Sequence, residues 1–314
     1  MPAQATPKGV ILLSFGGPDS LEAIEPFMTS IMGRRPPAPL VAKMVERYKL
    51  IGGKSPLPEV TGEQAKLVQD LLNSGGGNYI VSPAMLHWHP LIKESLRRLF
   101  QAGVREVAAV SLSPHYARVT SGAYRKEIEA ALSGLGGGLK VYFAPGYYEH
   151  PLYVQGLAAR LDSALAEFPA AVRSNVEIIF TAHSLPQEHV LGGDPYVDQL
   201  KASISALVRR AGLSRWRLAF QSRGGGQGEW LGPEAEKVMD ELKTSGTEHV
   251  LVFPIGFATD HIETMYDIDV AQREHAVSLG LDFHRAQALN TSPEFIRVLA
   301  ETAEAAFSDP EGVV

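Results

Sequence analysis

Eight short apolar runs alternate with longer amphipathic stretches, and this alternation constrains the fold more than any other feature. The runs are residues 10–15, 79–82, 106–112 and 140–143, then 176–180, 217–221, 250–255 and 281–284. Between them lie helix-like segments, among them 20–31, 40–50, 62–72, 90–102, 151–167, 195–211, 233–245 and 292–306. Strands that alternate with helices form parallel sheets covered by helices on both faces. A chain of 314 residues exceeds what one hydrophobic core usually holds. Four strands per half therefore predict two α/β domains, 1–147 and 148–314, with the boundary near 146–151. The last helix, from about 292, is free to pack on either half. The stretches 103–112 and 246–255 share a hydrophobic layout, which fits an internal duplication and equally fits any two buried parallel strands.

Bulk composition removes several function classes. A formal net charge of −6 argues against nucleic acid as the main partner. The chain has no cysteine, which excludes disulfides, thiolate zinc sites, a cysteine nucleophile and a cysteine-held iron–sulfur cluster. No apolar run approaches the roughly 20 residues of a membrane span. The first residues lack the charged and apolar regions of a signal peptide. A cytoplasmic location is expected.

In open parallel sheets, ligands bind at the carboxyl ends of the strands. Two motifs fall at such ends. Thr181-Ala182-His183-Ser184-Leu185-Pro186 follows the run 176–180, and Asp260-His261-Ile262-Glu263 follows 250–255. Each places an ionisable side chain where a core strand emerges, so a cleft between the domains is the expected site. An imidazole facing a carboxylate suits borderline-metal binding and proton transfer. Both are needed when a metal enters a nitrogen macrocycle. Glu263 and Asp267 are four apart and share a helix face, which costs stability unless a cation visits. That row fits a path for a hydrated divalent ion, although acids also favour the first turn of any helix.

Other motifs are weaker one by one. Phe15-Gly16-Gly17-Pro18 ends the first strand, where glycine lets a backbone or a flat ligand come close. It matches neither a dinucleotide fingerprint nor a P-loop, which disfavours a nucleotide-dependent oxidoreductase. Gly33-Arg34-Arg35-Pro36-Pro37 offers two guanidinium forks for ligand carboxylates, or simply two solvated charges. Arg47-Tyr48-Lys49-Leu50-Ile51-Gly52-Gly53-Lys54-Ser55-Pro56-Leu57 reads as a helix end and an extended turn. His87, in His87-Trp88-His89-Pro90, is a candidate from its place at a strand end. The glycine-rich stretch 221–231 reads as a mobile loop rather than a phosphate cradle.

In sequence order these motifs resemble the ferrochelatase family over nearly the whole chain. The resemblance rests on Phe-Gly-Gly-Pro at the first strand, Arg-Tyr-x-x-Ile-Gly-Gly-x-Ser-Pro-Leu, His183 in Ala-His-Ser-Leu-Pro, and Gly193-Asp194-Pro195-Tyr196. It continues through Gln221-Ser222-Arg223, Trp230-Leu231 and Asp260-His261-Ile262-Glu263. It implies two flavodoxin-like (Rossmann-type), chelatase-like domains, and insertion of Fe²⁺ into a porphyrin without ATP or an organic cofactor. His183 and Glu263 match the family's catalytic and metal-facing positions, and Asp267 the next acid on the metal-entry helix. Phe15, Arg34, Arg35, Tyr48, Ser55, His87, Ser121 and Tyr124 are expected on the porphyrin side.

The chain departs from the family pattern at Ala271, where a third acid is common; Asp269 lies on another face. Phe15 stands where some relatives carry a tyrosine, so it can stack on a macrocycle but cannot coordinate metal. The short Gly-Arg-Arg-Pro loop and the chain length resemble soluble, Gram-positive-type members acting on coproporphyrin III, and a monomer is expected. The alternatives are protoporphyrin IX as substrate, a sirohydrochlorin-type chelatase, and a non-catalytic porphyrin or haem carrier. A sirohydrochlorin enzyme usually pairs two histidines, where this chain has Glu263. A carrier has little use for Glu263 and Asp267.

Overall fold

The computed structural model describes residues 6–225 and 228–314. Residues 1–5, and Gly226 and Gln227 of the stretch read as a mobile loop, lie outside the described residues. By its internal contacts the chain divides into two units. One comprises the residues up to Tyr147 together with Asn290–Val314, and the other is Tyr148–Leu289.

The first unit runs β1 (Lys8–Ser14), α1 (Ile24–Met32), α2 (Ala38–Leu50), α3 (Leu57–Ser74), β2 (Tyr79–Met85), α4 (Ile92–Gln101), β3 (Glu106–Ser111), α5 (Ala123–Leu135) and β4 (Lys140–Phe143). A π-helical turn, Arg118–Gly122, leads into α5. The four strands form one parallel sheet in the order β2-β1-β3-β4. Val10, Ile11, Leu12 and Leu13 are all fully buried, as expected for a central strand covered on both faces. The last helix of the chain, Pro293–Ala306, packs against α3 and β3 of this unit. Beyond it, Val313 pairs antiparallel with Tyr142, and the Val314 N–H donates to Val141 O at 3.0 Å. This covers the outer edge of β4, which would otherwise leave a row of backbone groups unpaired.

The second unit runs α6 (Pro151–Leu165), β5 (Glu177–His183), α7 (Gln187–Leu191), α8 (Tyr196–Ala211), β6 (Trp216–Gln221), α9 (Ala235–Thr244), β7 (His249–Phe253), a π-helix (Glu263–Gln272), α10 (Arg273–Ser278) and β8 (Asp282–Arg285). Its sheet is again parallel and four-stranded, in the order β6-β5-β7-β8. Ile179, Phe180, Val250, Leu251 and Val252 are fully buried at its centre. In each sheet the winding reverses between the two middle strands, β1 and β3 in the first unit and β5 and β7 in the second. Chains leaving neighbouring strands there turn to opposite faces, which opens a crevice at the carboxyl ends.

The eight strands fall where the apolar runs predict them, and three elements depart from the predicted layout in detail. Helix α3 starts at Leu57, five residues before the predicted segment, because Pro58 sits in its first turn, where a missing N–H costs nothing. Strand β5 continues past the apolar run through Thr181 and Ala182 to His183, paired throughout with β6. The segment from Glu263 is a π-helix where the acid spacing suggested an α-helix. No helix among the described residues is long and apolar enough to cross a membrane.

Candidate active site

His183 is the last residue of β5, and Glu263 opens the π-helix that follows β7. These are the two strands flanking the switch point of the second unit. The chain between β7 and the π-helix turns back over the end of β5 at Gly256, whose N–H donates to Thr181 O at 3.1 Å. A Cβ on Gly256 would lie 2.7 Å from Ala182 Cβ and 2.9 Å from its Cα. Only glycine permits that approach. It sits beside the residue that precedes His183.

The outcome is a direct contact. His183 Nδ1 lies 2.9 Å from Glu263 Oε2. Both side chains are partly buried, with 35% and 23% of their surface exposed. Burial opposes protonation of His183, but the charge of Glu263, its hydrogen bond and the charge of Asp267 outweigh it, so the imidazole pKa is raised. Burial likewise opposes ionisation of Glu263. The His183 charge and hydrogen bond, the nearby His261 and the Ser222 hydroxyl outweigh it, so the carboxyl is held below its ordinary value. The pair therefore rests as imidazolium and carboxylate over a wider pH range than either group alone would.

The backbone on either side is held as well. Tyr196, buried in α8, donates its hydroxyl proton to His183 O at 3.2 Å. Gln221, at the end of β6, donates from Nε2 to Glu263 O at 2.8 Å and accepts from Gln272 Nε2 at 3.3 Å. The side chain of Gln221 thus ties β6 to both ends of the π-helix. The π-helix buries Thr264, Ile268 and Gln272, four apart, and Ile268 joins the apolar core of this unit. Glu263 and Asp267 follow the same spacing one residue earlier. Their shared side survives the change from i→i+4 to i→i+5 hydrogen bonding.

Asp267 accepts a hydrogen bond from the Ser222 hydroxyl. Ser222 holds φ at 57°, in the left-handed region. For a residue with a Cβ that conformation costs about 1–3 kcal/mol and clusters at functional sites. Asp269 is turned elsewhere: Arg285 binds it through Nε and Nη2 at 2.7 and 2.9 Å. His261 is partly buried against the Phe257 ring, and burial lowers its pKa. Gln221 and Ser222 helped carry the resemblance without being given a role. Tyr196 and His261 sat within the resembling motifs in the same way. Gln221 and Ser222 find partners on the π-helix 42 to 51 residues away, and Tyr196 finds His183 13 residues back, which only the closed fold shows.

The residues expected on the porphyrin side all lie in the first unit and divide by exposure. Phe15 and His87 are partly buried with ring centroids 4.7 Å apart, and Ser30 Oγ lies 3.1 Å from His87 Nδ1. Burial lowers the His87 pKa. Arg34 and Arg35 are exposed, and Arg35 pairs with Glu25 at 2.6 Å. Tyr48, Ser55, Ser121 and Tyr124 are buried. Tyr124 belongs to the apolar core with Ile92, Leu96 and Ile128, and Ser55 lies against Gly17, where a Cβ would come within 2.4 Å of its hydroxyl oxygen.

The model of the ferrochelatase family matches residues 7–306. A curated relative named Ferrochelatase, from Geotalea uraniireducens (strain Rf4), is 39% identical over 309 residues, covering 93% of this chain and 95% of that one. Another of the same name, from Deinococcus radiodurans, is 36% identical over 301 residues and covers 95% of each chain. Among solved structures, SirB from Bacillus subtilis with Fe³⁺ superposes with a TM-score of 0.61 at 12% identity, covering 98% of each chain. At that identity the likeness is one of fold.

Proposed function

The chain belongs to the ferrochelatase family, a family of enzymes that insert metal into porphyrin in haem biosynthesis, and from that premise we propose that it places Fe²⁺ in coproporphyrin III, with His183 and Glu263 as the catalytic pair. The observation that carries the reading is the 2.9 Å contact between these two side chains at the switch point of the second unit.

The reaction asks for two things. The flat ring must bend so that its pyrrole lone pairs turn outward, and two N–H protons must leave. A rigid wall supplies bending, drawing on binding at the ring edge. In this reading Phe15 and His87 touch the macrocycle, Arg34 and Arg35 meet its propionates, and Tyr48, Ser55, Ser121 and Tyr124 belong to the porphyrin side. His183 accepts one pyrrole proton and faces the metal, Glu263 beside it accepts the other, and both protons pass on to solvent. The imidazole must first be neutral, and an incoming dication favours that by repelling its proton. Asp267 lies one turn further along and offers the arriving ion a second carboxylate. Imidazole with carboxylate suits Fe²⁺ better than Mg²⁺. No step requires nucleotide hydrolysis or an organic cofactor, and the absence of cysteine leaves no ligands for a cysteine-held iron–sulfur cluster.

Four propionates make coproporphyrin III water-soluble. The arginine loop on an exposed surface supports that substrate, as does the lack of a membrane-crossing helix among the described residues. A monomer acting in the cytoplasm, as a lyase, completes the reading. Turnover on coproporphyrin III and protoporphyrin IX, measured side by side with Fe²⁺ under anaerobic conditions, tests it. Preference for the four-propionate ring is expected, and preference for protoporphyrin IX overturns the assignment of substrate.

A further inference from the structure

Ten residues of the second unit, 260–269, carry four acids: Asp260, Glu263, Asp267 and Asp269. One cation divides them. Arg285, the last residue of β8, is 12% exposed. It binds Asp269 through two parallel bonds, Nε to Oδ1 at 2.7 Å and Nη2 to Oδ2 at 2.9 Å. Its Nη1 reaches Asp260 Oδ1 at 3.0 Å and Ala286 O at 3.4 Å. A planar guanidinium can hold two carboxylates in this way; an ammonium, a single compact charge, cannot.

The positions matter more than the pairing. Asp260 lies just before the π-helix and Asp269 well inside it, and Glu263 and Asp267 lie between them. Arg285 therefore fastens both ends of the stretch that carries the reacting acids. π-Helices are rare and favour functional sites; one of ten residues needs outside support to keep its register. The same bonds neutralise Asp260 and Asp269, leaving Glu263 to His183 and Asp267 to Ser222.

We propose that Arg285 is a positioning residue for metal insertion: through Asp260 and Asp269 it fixes the register of the π-helix, so that Glu263 meets His183 and only Glu263 and Asp267 are left to the metal. The proposal rests on the metal-insertion reading, and one arm of its test does not. Arg285→Met lowers kcat about tenfold or more, raises KM for the metal and leaves KM for the porphyrin within about twofold. Arg285→Lys, which can hold one acid but not both, falls between.

The triple variant Arg285→Met, Asp260→Asn, Asp269→Asn separates positioning from mere charge balance. It removes the two partly buried carboxylates that Arg285→Met deprives of the guanidinium and restores thermal stability, while turnover stays low. Hydrogen exchange of the amides at 263–272, measured without substrate, quickens in both the single and the triple variant while other segments are unchanged. A triple variant that regains turnover along with stability overturns the proposal. So does Arg285→Met with wild-type kcat and wild-type exchange. Should the wild-type protein insert no metal at all, the functional reading fails, and the exchange arm still decides whether Arg285 holds the helix.

Discussion

His183 Nδ1 and Glu263 Oε2 stand 2.9 Å apart although 80 residues separate them in the chain. The contact exists because β5 and β7 are neighbours at the point where the sheet reverses its winding, and because Gly256 lets one connection cross the end of the other strand. The chemistry follows from that closure.

Each member of the pair is expected to matter to turnover more than to binding. His183→Ala and Glu263→Gln each lower kcat by about 10² or more, the range for loss of a positioned acid or base, and leave porphyrin affinity within a few-fold. Porphyrin fluorescence quenching reports the binding and the change in Soret absorbance reports the turnover. Equal loss of binding and turnover contradicts the assignment.

The pH profile carries a sign. The folded pKa of His183 is raised by Glu263 and Asp267 against the pull of burial, so neutral imidazole builds up only above the ordinary value of about 6.5. The acid limb of kcat/KM, which reports the free enzyme, is expected above that value in the wild type. In Glu263→Gln burial loses its main opponent, and the residual activity has its acid limb at lower pH. A limb that does not move with this substitution contradicts the coupling.

Stability follows the same two groups. The raised His183 pKa gives stability that is fully present below the unfolded imidazole value and is lost as pH rises through the folded one. The lowered Glu263 pKa gives stability that is present above the unfolded carboxyl value and is lost as pH falls through the folded one. The pair thus helps most between about pH 4.5 and 6.5. The difference in Tm between wild type and the double variant His183→Asn, Glu263→Gln is expected to peak in that window.

Most of this architecture is legible in the sequence. Buried parallel strands are continuous apolar runs, so β1, β3, β5 and β7 announce themselves, and His183 and Glu263 stand out as ionisable groups just beyond two of them. What the sequence conceals is closure. The π-helix looks like an α-helix, because acids four apart share a side in either. The turned-away Asp269 finds its partner Arg285 on β8, 16 residues on, where no helical spacing predicts it. Ser222 is an ordinary serine until its backbone proves left-handed. Tyr124 reads as a ring available to ligand, yet its pattern within α5 also fits the core position it occupies.

Gly256→Val tests the closure from a distance. Its branched side chain would collide with Ala182, and relief by backbone shift costs about 1–3 kcal/mol. The shift separates the β5 end from the π-helix, so kcat is expected to fall further than the loss of stability alone explains. Urea unfolding and initial rates on the same preparation check both parts. Wild-type kcat in a destabilised but folded variant contradicts the role given to this crossing.

Metal choice is expected to be loose, because imidazole and carboxylate bind Co²⁺ and Zn²⁺ as well as Fe²⁺. Steady-state insertion assays with each ion check this. Complete rejection of Zn²⁺ by an enzyme active with Fe²⁺ shows that something beyond these two ligands selects the metal.

The most direct measurement is a single-turnover experiment. Enzyme in excess over coproporphyrin III is mixed with Fe²⁺ under anaerobic conditions and without nucleotide, and the Soret band is followed in wild type and in Glu263→Gln. The account predicts one metalated porphyrin per bound ring in the wild type. In the variant it predicts a bound but metal-free porphyrin on the same time scale. Equal rates of insertion in the two proteins would contradict it.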